Sequence, residues 1–493
     1  MDSSEEQSEP SHIPGRYFIP LALYLFFLFL FHQLWFTGVN VPWGYWQILD
    51  KSALTASPLR SILLLNSQPP ILNSLLAAVI QFHLATGASV KAISTVVFYI
   101  LGAISTVLFY QVLLDITRTR IISGCLIAFM LADPGYHVFQ NKFFYPFIIH
   151  FFVIVTIFAF HKLISTKKLR YLYATLVAIA LLSNTQSLFH PLWSKLSFVM
   201  IIYILSTKRG FDGLSRNKHV WGSTIIFLFL LFAWPTKNLI LFDNFTYTTW
   251  EGYNLARGTP VKSDTLIEYL AHGQIPEKVK GDLKEFARRF GENQLQLLAS
   301  PTKFDGTRNW NNYVLIDTNN QLANDAIRWR LENPVAWFRI FVSNYLHWTR
   351  ATYRQSYTDE ILGPTNNTIY LNYARIHSAL FFSEIPLPDK FNPEPSSEQK
   401  ITIFGAFILP VLLALLAFVM AREWVTSRRH ISVDMGTLAL TSFIFFWDLF
   451  ISCLTDGAEG NRMRFYVTPC LIIMVAIIGK VFLTPKDTES GRV

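Results

Sequence analysis

The chain alternates between apolar runs and short polar gaps from Tyr17 to its C-terminus, and most of its positive charge falls in every second gap. A helix that crosses a bilayer needs about 20 mostly apolar residues, and the cytoplasmic loops of multi-pass membrane proteins are enriched in Lys and Arg. The pattern therefore predicts a polytopic membrane protein, and it assigns each polar gap to one side of the membrane.

Ten spans, with both chain termini in the cytoplasm, account for this alternation. They are 17–37, 91–114, 121–131 with flanking residues, 145–161, 171–182, 196–206, 221–239, 401–420, 435–454 and 466–483. The apolar segment Ile71–Gly87 is left out because it follows a double proline and carries several polar side chains. Counting it as a crossing would place Arg118 and Arg120 outside the cytoplasm, unless another crossing were dropped. We predict that it is a helix lying at the membrane surface.

The predicted spans form two membrane regions with a large external segment between them. The parts are a cytoplasmic tail 1–16, an N-terminal transmembrane module 17–240 with external loops 38–90 and 133–144, the external segment 241–400, C-terminal transmembrane helices 401–484 and a cytoplasmic tail 485–493. The external segment is too long for a plain connection, and it has helix-like amphipathic stretches at 276–290, 319–332 and 334–348. The expected fold class is all-α, with about ten transmembrane helices, juxtamembrane helices and a mostly helical external segment.

Composition supports this fold class and argues against a nucleic-acid partner. Only 15% of the residues are charged and 52% are hydrophobic, whereas about 25% of the residues in a soluble domain are charged. The net charge of +9 comes from the short basic gaps, since acidic and basic residues are almost balanced in the external segment. Cys125, Cys453 and Cys470 have spacings that fit neither a metal site nor a disulfide framework. No metal or other cofactor is expected.

Asp50 and the turn Gln68-Pro69-Pro70 form the first polar cluster on the predicted external side. Asp50 lies among aromatic residues close to the membrane, and a carboxylate in this position is a candidate general base. The alternative is that Asp50 caps a helix that begins at Lys51, or pairs with Lys51 or Arg60. Proline is favoured at the first position of a helix, so the turn predicts a rigid corner with Gln68 as a candidate substrate ligand.

Glu459, Arg462 and Arg464 form a second cluster on the same side, just before the last span. The planar guanidinium group of arginine matches phosphate through paired hydrogen bonds, so both arginines are candidate ligands of a lipid-linked phosphate. They are two residues apart and point different ways on a helix. Ordinary headgroup binding would also explain them. Glu459 is a candidate substrate ligand.

Other polar residues in the predicted external loops and spans are weaker candidates. Lys142 would bind phosphate as a point charge, although a lone interfacial lysine also commonly extends towards the headgroups. Asn141 and His190 are candidate substrate ligands. Asp448 falls inside the ninth predicted span, where a carboxylate is costly and marks a functional site or a partner. A proton-coupled transporter would have such a residue.

Taken together, these residues resemble the GT-C glycosyltransferases, which are polytopic enzymes that use polyprenyl- or dolichyl-phosphate sugars. The superfamily includes the protein O-mannosyltransferases and the lipid A aminoarabinose transferases. Asp50 lies in the first external loop, and Asn66–Asn73 resembles the H/Q-P-P-L start of the family's juxtamembrane helix. The stretch Asp133–Pro146 resembles the second external loop, and Glu459–Pro469 resembles the R-x-R-F-x-x-x-P motif at the start of a late span.

The resemblance implies a mechanism. An Asp of the first loop deprotonates the acceptor hydroxyl, the sugar is transferred with inversion, and basic residues near the membrane hold the departing lipid phosphate. On this chain Asp50 would be the base, with Arg462 or Arg464 as the phosphate ligand. Two features depart from the family pattern. The family Asp usually lies nearer the first span, where this chain has Asn40, and residues 140–142 are Gln-Asn-Lys where a second acidic residue is common.

Three functions stay open at this point. The first is an inverting glycosyltransferase that acts on the non-cytoplasmic side, with a polyprenyl- or dolichyl-phosphate sugar as donor, a glycan, lipid or protein as acceptor, and membrane lipids around it. The second is a transporter or flippase for a lipid-linked or amphipathic substrate, coupled through Asp448. The third is a scaffold subunit without activity. Short cytoplasmic loops favour a bacterial inner membrane, whereas glycosylation triplets at Asn244 and Asn366 fit the endoplasmic reticulum.

Overall fold

The computed structural model describes residues 15–34, 38–207, 217–263, 277–292, 295–351, 372–379, 382–386, 400–426, 431–455 and 460–483. These residues are almost wholly helical. The sheet among them has two short antiparallel strands, β1 (Glu384–Pro386) and β2 (Lys400–Thr402).

The helices of the N-terminal half are α1 (Gly15–Leu34), α2 (Lys51–Ala56), α3 (Pro58–Leu63), α4 (Ile71–Thr86), α5 (Val90–Thr117), α6 (Arg120–Ala132), α7 (Pro134–Gln140), α8 (Tyr145–Thr166), α9 (Arg170–Ser183), α10 (Pro191–Thr207) and α11 (Lys218–Phe242). Those that follow are α12 (Glu251–Ala256), α13 (Glu277–Phe290), α14 (Leu295–Ala299), α15 (Val314–Glu332), α16 (Pro334–Trp348), α17 (Leu409–Thr426), α18 (Val433–Thr455) and α19 (Gly460–Leu483). A short helix covers residues 372–379, and a π-helical segment, Phe404–Ile408, leads into α17.

Within the described ranges, six helical segments are long and apolar enough to cross a bilayer. They are Val90–Thr117, Tyr145–Thr166, Lys218–Phe242, Phe404–Arg422, Val433–Thr455 and Arg462–Leu483. The helices α6 and α7 pass the same test as one pair, bent by 63°. The chain is therefore an all-α, multi-pass integral membrane protein. The other three predicted spans coincide with the shorter apolar helices α1, α9 and α10, so the count of ten stays a prediction.

Ion pairs join the ends of the membrane helices that the charge pattern assigns to the cytoplasm. The Asp115 carboxylate, near the end of α5, pairs with Arg16 of α1 at 2.8 Å and with Lys162 of α8 at 2.6 Å. Near the other end of the chain, Lys480 of α19 pairs with Asp434 of α18 at 2.6 Å. These groups are only partly exposed, and opposite charges attract more strongly where solvent screens them less. The contacts therefore hold α1, α5 and α8 in register at this end.

The double proline begins α4, as predicted. This helix starts directly after Pro70 and ends at Gly87, whose φ of 74° lies in the left-handed region that favours glycine at a helix end. It has 16 residues, which is fewer than the roughly 20 that a span needs. On one face Gln81 donates hydrogen bonds to carbonyls of α2. The helix therefore packs against the first external loop, and its position at the membrane surface stays a prediction.

The external segment has a small hydrophobic core separate from the core of the membrane helices. Its helices α13 and α15 cover the predicted amphipathic stretches, and the chain breaks at Asn333-Pro334 before α16. The buried core residues are Leu64, Phe242, Ala256, Val279, Leu283, Leu298, Val314, Leu315, Ile316, Leu322 and Ala326. Since Leu64 belongs to the first external loop, that loop and the external segment form one packed unit.

Candidate functional site

A cleft lies at the ends of α8 and α19 that are opposite the ion pairs. It has two compartments that share five lining residues, namely Gln186, Ser187, Asn254, Thr455 and Met463. The arginine compartment encloses about 500 Å³ and is lined by Arg462, Arg257, Gln47 and Gln68 among others. The glutamate compartment encloses about 790 Å³ and includes Glu251, His190 and Trp447. Part of both volumes is open to solvent. Residues from the segments 46–68, 145, 186–192, 250–257 and 447–463 thus line two adjoining compartments.

Arg462 brings a buried positive charge to the arginine compartment. Its guanidinium group lies 5.4 Å from the ring centroid of Phe144 and 5.2 Å from that of Tyr145, and only 3% of the residue is exposed. The ammonium group of Lys142 lies 4.1 Å from the ring of Tyr45 and 5.7 Å from that of Phe144. Aromatic faces stabilise cations at these distances. Two cations therefore share the Phe144 ring, although Lys142 does not line the cleft.

Two glutamine side chains supply acceptors to the arginine compartment. Gln47 and Gln186 are each 8% exposed, and the Oε1 atom of each is buried without a hydrogen-bond partner among the described residues. The side chain of Asn73 in α4 holds the loop that carries Gln47. Its amide N–H donates to the backbone carbonyl of Gln47 at 2.9 Å, and its amide oxygen accepts from the Leu49 N–H at 2.8 Å. A buried acceptor left unmatched costs about 1–3 kcal/mol, and both of these oxygens belong to residues that line the compartment.

Two indole rings and the helix α12 contribute to the lining of the cleft. The rings of Trp46 and Trp250 meet edge to face at 4.8 Å, and both line the arginine compartment. At the start of α12, Gly252 lies directly against the backbone of α15, since a Cβ there would be 1.7 Å from the Asn319 carbonyl oxygen. Only glycine permits this approach. The close packing fixes Glu251, the preceding residue, at the edge of the cleft.

The imidazole of His190 is open to the glutamate compartment. Burial of the imidazole lowers the pKa of His190. The Glu251 carboxylate raises this pKa, whereas the Lys195 ammonium group lowers it further. Its Nδ1 atom accepts a hydrogen bond from the Leu192 N–H at 3.2 Å, at the start of α10. His190 is therefore neutral at neutral pH.

Arg464 points away from the cleft. Its Nη1 atom donates to the Thr349 carbonyl at 2.7 Å, and its guanidinium group lies 4.1 Å from the ring of Phe382. It lines a groove of mostly apolar side chains from α6, the π-helical segment and α19, together with the polar residues Asp133, His377 and Thr468. The groove and the cleft share no lining residue. The structure thus separates the two arginines that the sequence offers as alternative phosphate ligands.

Asp50 caps α2, as one of the sequence alternatives predicts. One carboxylate oxygen accepts hydrogen bonds from the Ser52 N–H at 2.8 Å and the Ser52 hydroxyl at 2.6 Å, and the other accepts from the Phe304 N–H at 2.5 Å. Beside it, the Lys303 ammonium group donates to backbone carbonyls of the loop 43–48. Burial lowers the pKa of Lys303, whereas the carboxylates of Asp305 and Asp50 raise it. Asp50 lines a cavity that has no lining residue in common with the cleft. Its role as the base stays a prediction.

The remaining predicted ligands are placed in different ways. Gln68 lines the arginine compartment and His190 the glutamate compartment. Asn141 is buried, and its side chain bonds to the backbone of α7 and to the hydroxyl of Tyr99. At Asn40 the first external loop pairs with the second, through backbone hydrogen bonds of 2.9 and 2.8 Å. Glu459 lies outside the described residues.

The sequence reading did not select several residues of the cleft. These are Trp250, Glu251, Asn254 and Arg257. They lie near the start of the external segment, after the seventh predicted span (221–239), and the run Trp-Glu-Gly-Tyr-Asn at 250–254 is the signal in the sequence that could have found them. Aromatic and amide side chains next to a membrane end are a composition that binding sites share.

No family profile matches this chain, and no curated protein matches it. Among solved structures, the apo form of the oligosaccharyltransferase of Archaeoglobus fulgidus is similar to it, with a TM-score of 0.40 and 11% sequence identity over 95% of the chain. The chain spans about half the length of that protein, since 50% of it is covered.

Proposed function

We propose that this protein is an inverting glycosyltransferase of the membrane, which moves a sugar from a polyprenyl- or dolichyl-phosphate donor to an acceptor on the non-cytoplasmic side. The observation that carries the proposal is the arginine compartment, in which Arg462 lies with the buried amide oxygens of Gln47 and Gln186. One end of this space suits an anion, and the rest suits a ligand with many hydroxyl groups.

The sugar would occupy the part of the compartment that the amides and indoles line. Hydroxyl groups are donors, and they match the Oε1 atoms of Gln47 and Gln186. The apolar face of a sugar ring matches the rings of Trp46 and Trp250, which offer large apolar area with polar edges. Gln68 and Asn254 add further amides to the wall. A small apolar ligand would leave these polar groups unmatched.

The lipid phosphate would lie against Arg462. Hydrogen bonds between a guanidinium group and phosphate are charge-assisted and stronger than neutral ones, and the low exposure of Arg462 reduces screening by water. Arg257 lines the same compartment, and Lys142 lies on the nearby aromatic cluster. The resulting positive field favours the phosphate group as it leaves with a second negative charge.

The charge pattern indicates the side of the membrane to which the cleft opens. The ion pairs of Asp115 lie at the opposite ends of the helices, next to the basic gaps that the positive-inside rule assigns to the cytoplasm. We therefore propose that the cleft opens to the periplasm of a bacterium, with the lumen of the endoplasmic reticulum as the alternative. Membrane lipids and the donor lipid would surround the cleft.

The test is donor cleavage by the purified, full-length protein in nanodiscs. The probes are polyprenyl-phosphate monosaccharides with a radiolabelled sugar, offered with a detergent extract of the source membranes as the pool of acceptors. We expect the wild type to transfer label, and Arg462→Ala to lower the rate at limiting donor by about 10- to 100-fold, since hydrogen bonds to charged groups contribute about 1.5–3 kcal/mol. Arg288→Ala is the matched control, because Arg288 is exposed on α13 and should leave transfer unchanged. Donor that stays intact with every sugar tried would refute the proposal.

A transporter is the second candidate, and Asp448 is the observation that favours it. This carboxylate is fully buried in α18, where one oxygen accepts from the Trp348 indole at 3.1 Å and the other has no partner among the described residues. Burying such a group is costly. Asp448 lines neither compartment of the cleft. Flipping of a fluorescent lipid-linked sugar that is lost in Asp448→Asn, with no new glycosidic bond in the wild type, would favour the transporter.

A further inference from the structure

We propose that Glu251 is the general base that deprotonates the acceptor hydroxyl in this cleft. This inference rests on the proposed function and assigns a catalytic residue to it. It follows from the distribution of charge along the cleft, from the fixed position of α12 and from the different location of Asp50.

The charged groups of the cleft fall in different compartments. Arg462 and Arg257 line the arginine compartment, and Glu251 is the only carboxylate among the described residues that line either compartment. Sugar transfer needs positive charge where the phosphate leaves and a proton acceptor where the hydroxyl attacks. The shared residues Gln186, Asn254 and Met463 connect these two ends. The acceptor would therefore approach through the glutamate compartment.

The step balances with groups that the chain and its substrates supply. The acceptor oxygen forms a bond with the anomeric carbon of the sugar, while the bond between that carbon and the phosphate oxygen breaks. The electron pair of the broken bond stays on the lipid phosphate, which Arg462 holds. The proton of the acceptor hydroxyl passes to the Glu251 carboxylate.

Asp50 is less suited to this role in the observed structure. Both of its carboxylate oxygens accept hydrogen bonds from the protein, and the cavity that it lines is distinct from the cleft. Glu251 occupies the first turn of α12, and a carboxylate there also favours the helix through the helix dipole. A purely structural role for Glu251 is therefore the competing explanation, and it predicts a change in stability without a change in the rate of chemistry.

The experiment compares Glu251→Gln with Asp50→Asn and Glu459→Gln in the full-length protein in nanodiscs. Single-turnover transfer from a radiolabelled polyprenyl-phosphate monosaccharide to the membrane extract measures the rate of the chemical step. Titration with unlabelled polyprenyl phosphate measures the affinity for the lipid phosphate. Thermal unfolding measures the stability of the fold. We expect Glu251→Gln to slow transfer by about 100-fold or more, since a general base contributes about 10²–10⁴. Binding of polyprenyl phosphate and the unfolding temperature should stay close to the wild-type values. Glu332→Gln, at the exposed end of α15, is the matched control for loss of a carboxylate.

The outcomes separate this inference from the proposed function. If the wild type transfers no sugar, the proposed function fails and the inference fails with it. If the wild type is active and Glu251→Gln transfers at the wild-type rate, only the assignment of Glu251 is overturned. It is also overturned if Asp50→Asn or Glu459→Gln slows transfer more than Glu251→Gln does, or if Glu251→Gln loses activity only in proportion to a loss of folded protein.

Discussion

Arg462 and Arg464 are two residues apart at the start of α19, and they line two different cavities. Successive helical residues are about 100° apart around the axis, so positions i and i+2 lie on nearly opposite sides. One arginine therefore reaches the polar cleft, and the other reaches an apolar groove where Thr349 accepts its hydrogen bond. A single phosphate cannot be held by both side chains.

Substitution of the two arginines should have different effects on phosphate binding. We expect Arg462→Ala to raise the Kd for polyprenyl phosphate by about 10- to 100-fold. Arg464→Ala should raise it much less but lower the unfolding temperature, because the lost hydrogen bond is internal to the protein. Titration of each variant in nanodiscs, followed by thermal unfolding, checks both statements. A larger effect on the Kd from Arg464→Ala would move the phosphate site to the groove.

Removal of the Asp50 side chain should destabilise the first external loop. Loss of an N-cap costs about 1 kcal/mol, and Asp50→Ala also leaves the Phe304 N–H without its acceptor. Asp50→Asn is the matched control, since its amide oxygen still accepts one of these hydrogen bonds. We expect Asp50→Ala to unfold at a lower temperature than Asp50→Asn and to be cut faster by protease between α1 and α4. Equal stability of the two variants would contradict the capping role.

The stability of the protein should fall as the pH falls below the ordinary pKa of histidine. Burial lowers the pKa of His347 from 6.5 to about 4, and the neighbouring Arg350 adds to the effect. Above pH 6.5 His347 is neutral in both the folded and the unfolded chain. Between that pH and about 4 the unfolded chain binds a proton that the folded chain does not, so the free energy of unfolding decreases.

The measurement for His347 is the unfolding temperature at neutral pH and at about pH 5. We expect His347→Gln to lose less stability than the wild type on acidification, because glutamine does not titrate. His219→Gln removes an exposed histidine in the same background and should behave like the wild type. A drop on acidification that is the same in wild type and His347→Gln would show that other groups cause it.

The elements that follow from local signals could be predicted from the sequence. The helix α4 was expected at Ile71–Gly87 and extends over Ile71–Thr86, because a proline start and a glycine end act within a single turn. The break at Asn333-Pro334 has the same origin. The number of spans is harder to predict, since α9 and α10 have only 14 and 17 residues. Length and hydropathy alone do not separate such helices from partial crossings.

The site could be predicted only in part. Arg462 and Gln68 belong to short motifs that are visible in the sequence, and both line the arginine compartment. Gln47, Gln186 and Glu251 come from segments that are far apart in the chain, and no periodicity links them. They meet because the first external loop packs on the external segment and because α12 packs on α15. Contacts of this kind depend on tertiary packing, which local patterns do not encode.

The contact of Gly252 with Asn319 joins α12 directly to the backbone of α15. Backbone lies directly on backbone at this crossing, with no flexible side chain between them to absorb a displacement. The external unit and α12, which lines the cleft, are therefore in direct backbone contact at this point. A side chain larger than hydrogen at position 252 would therefore push α12 and α15 apart and displace the lining of the cleft relative to the external unit.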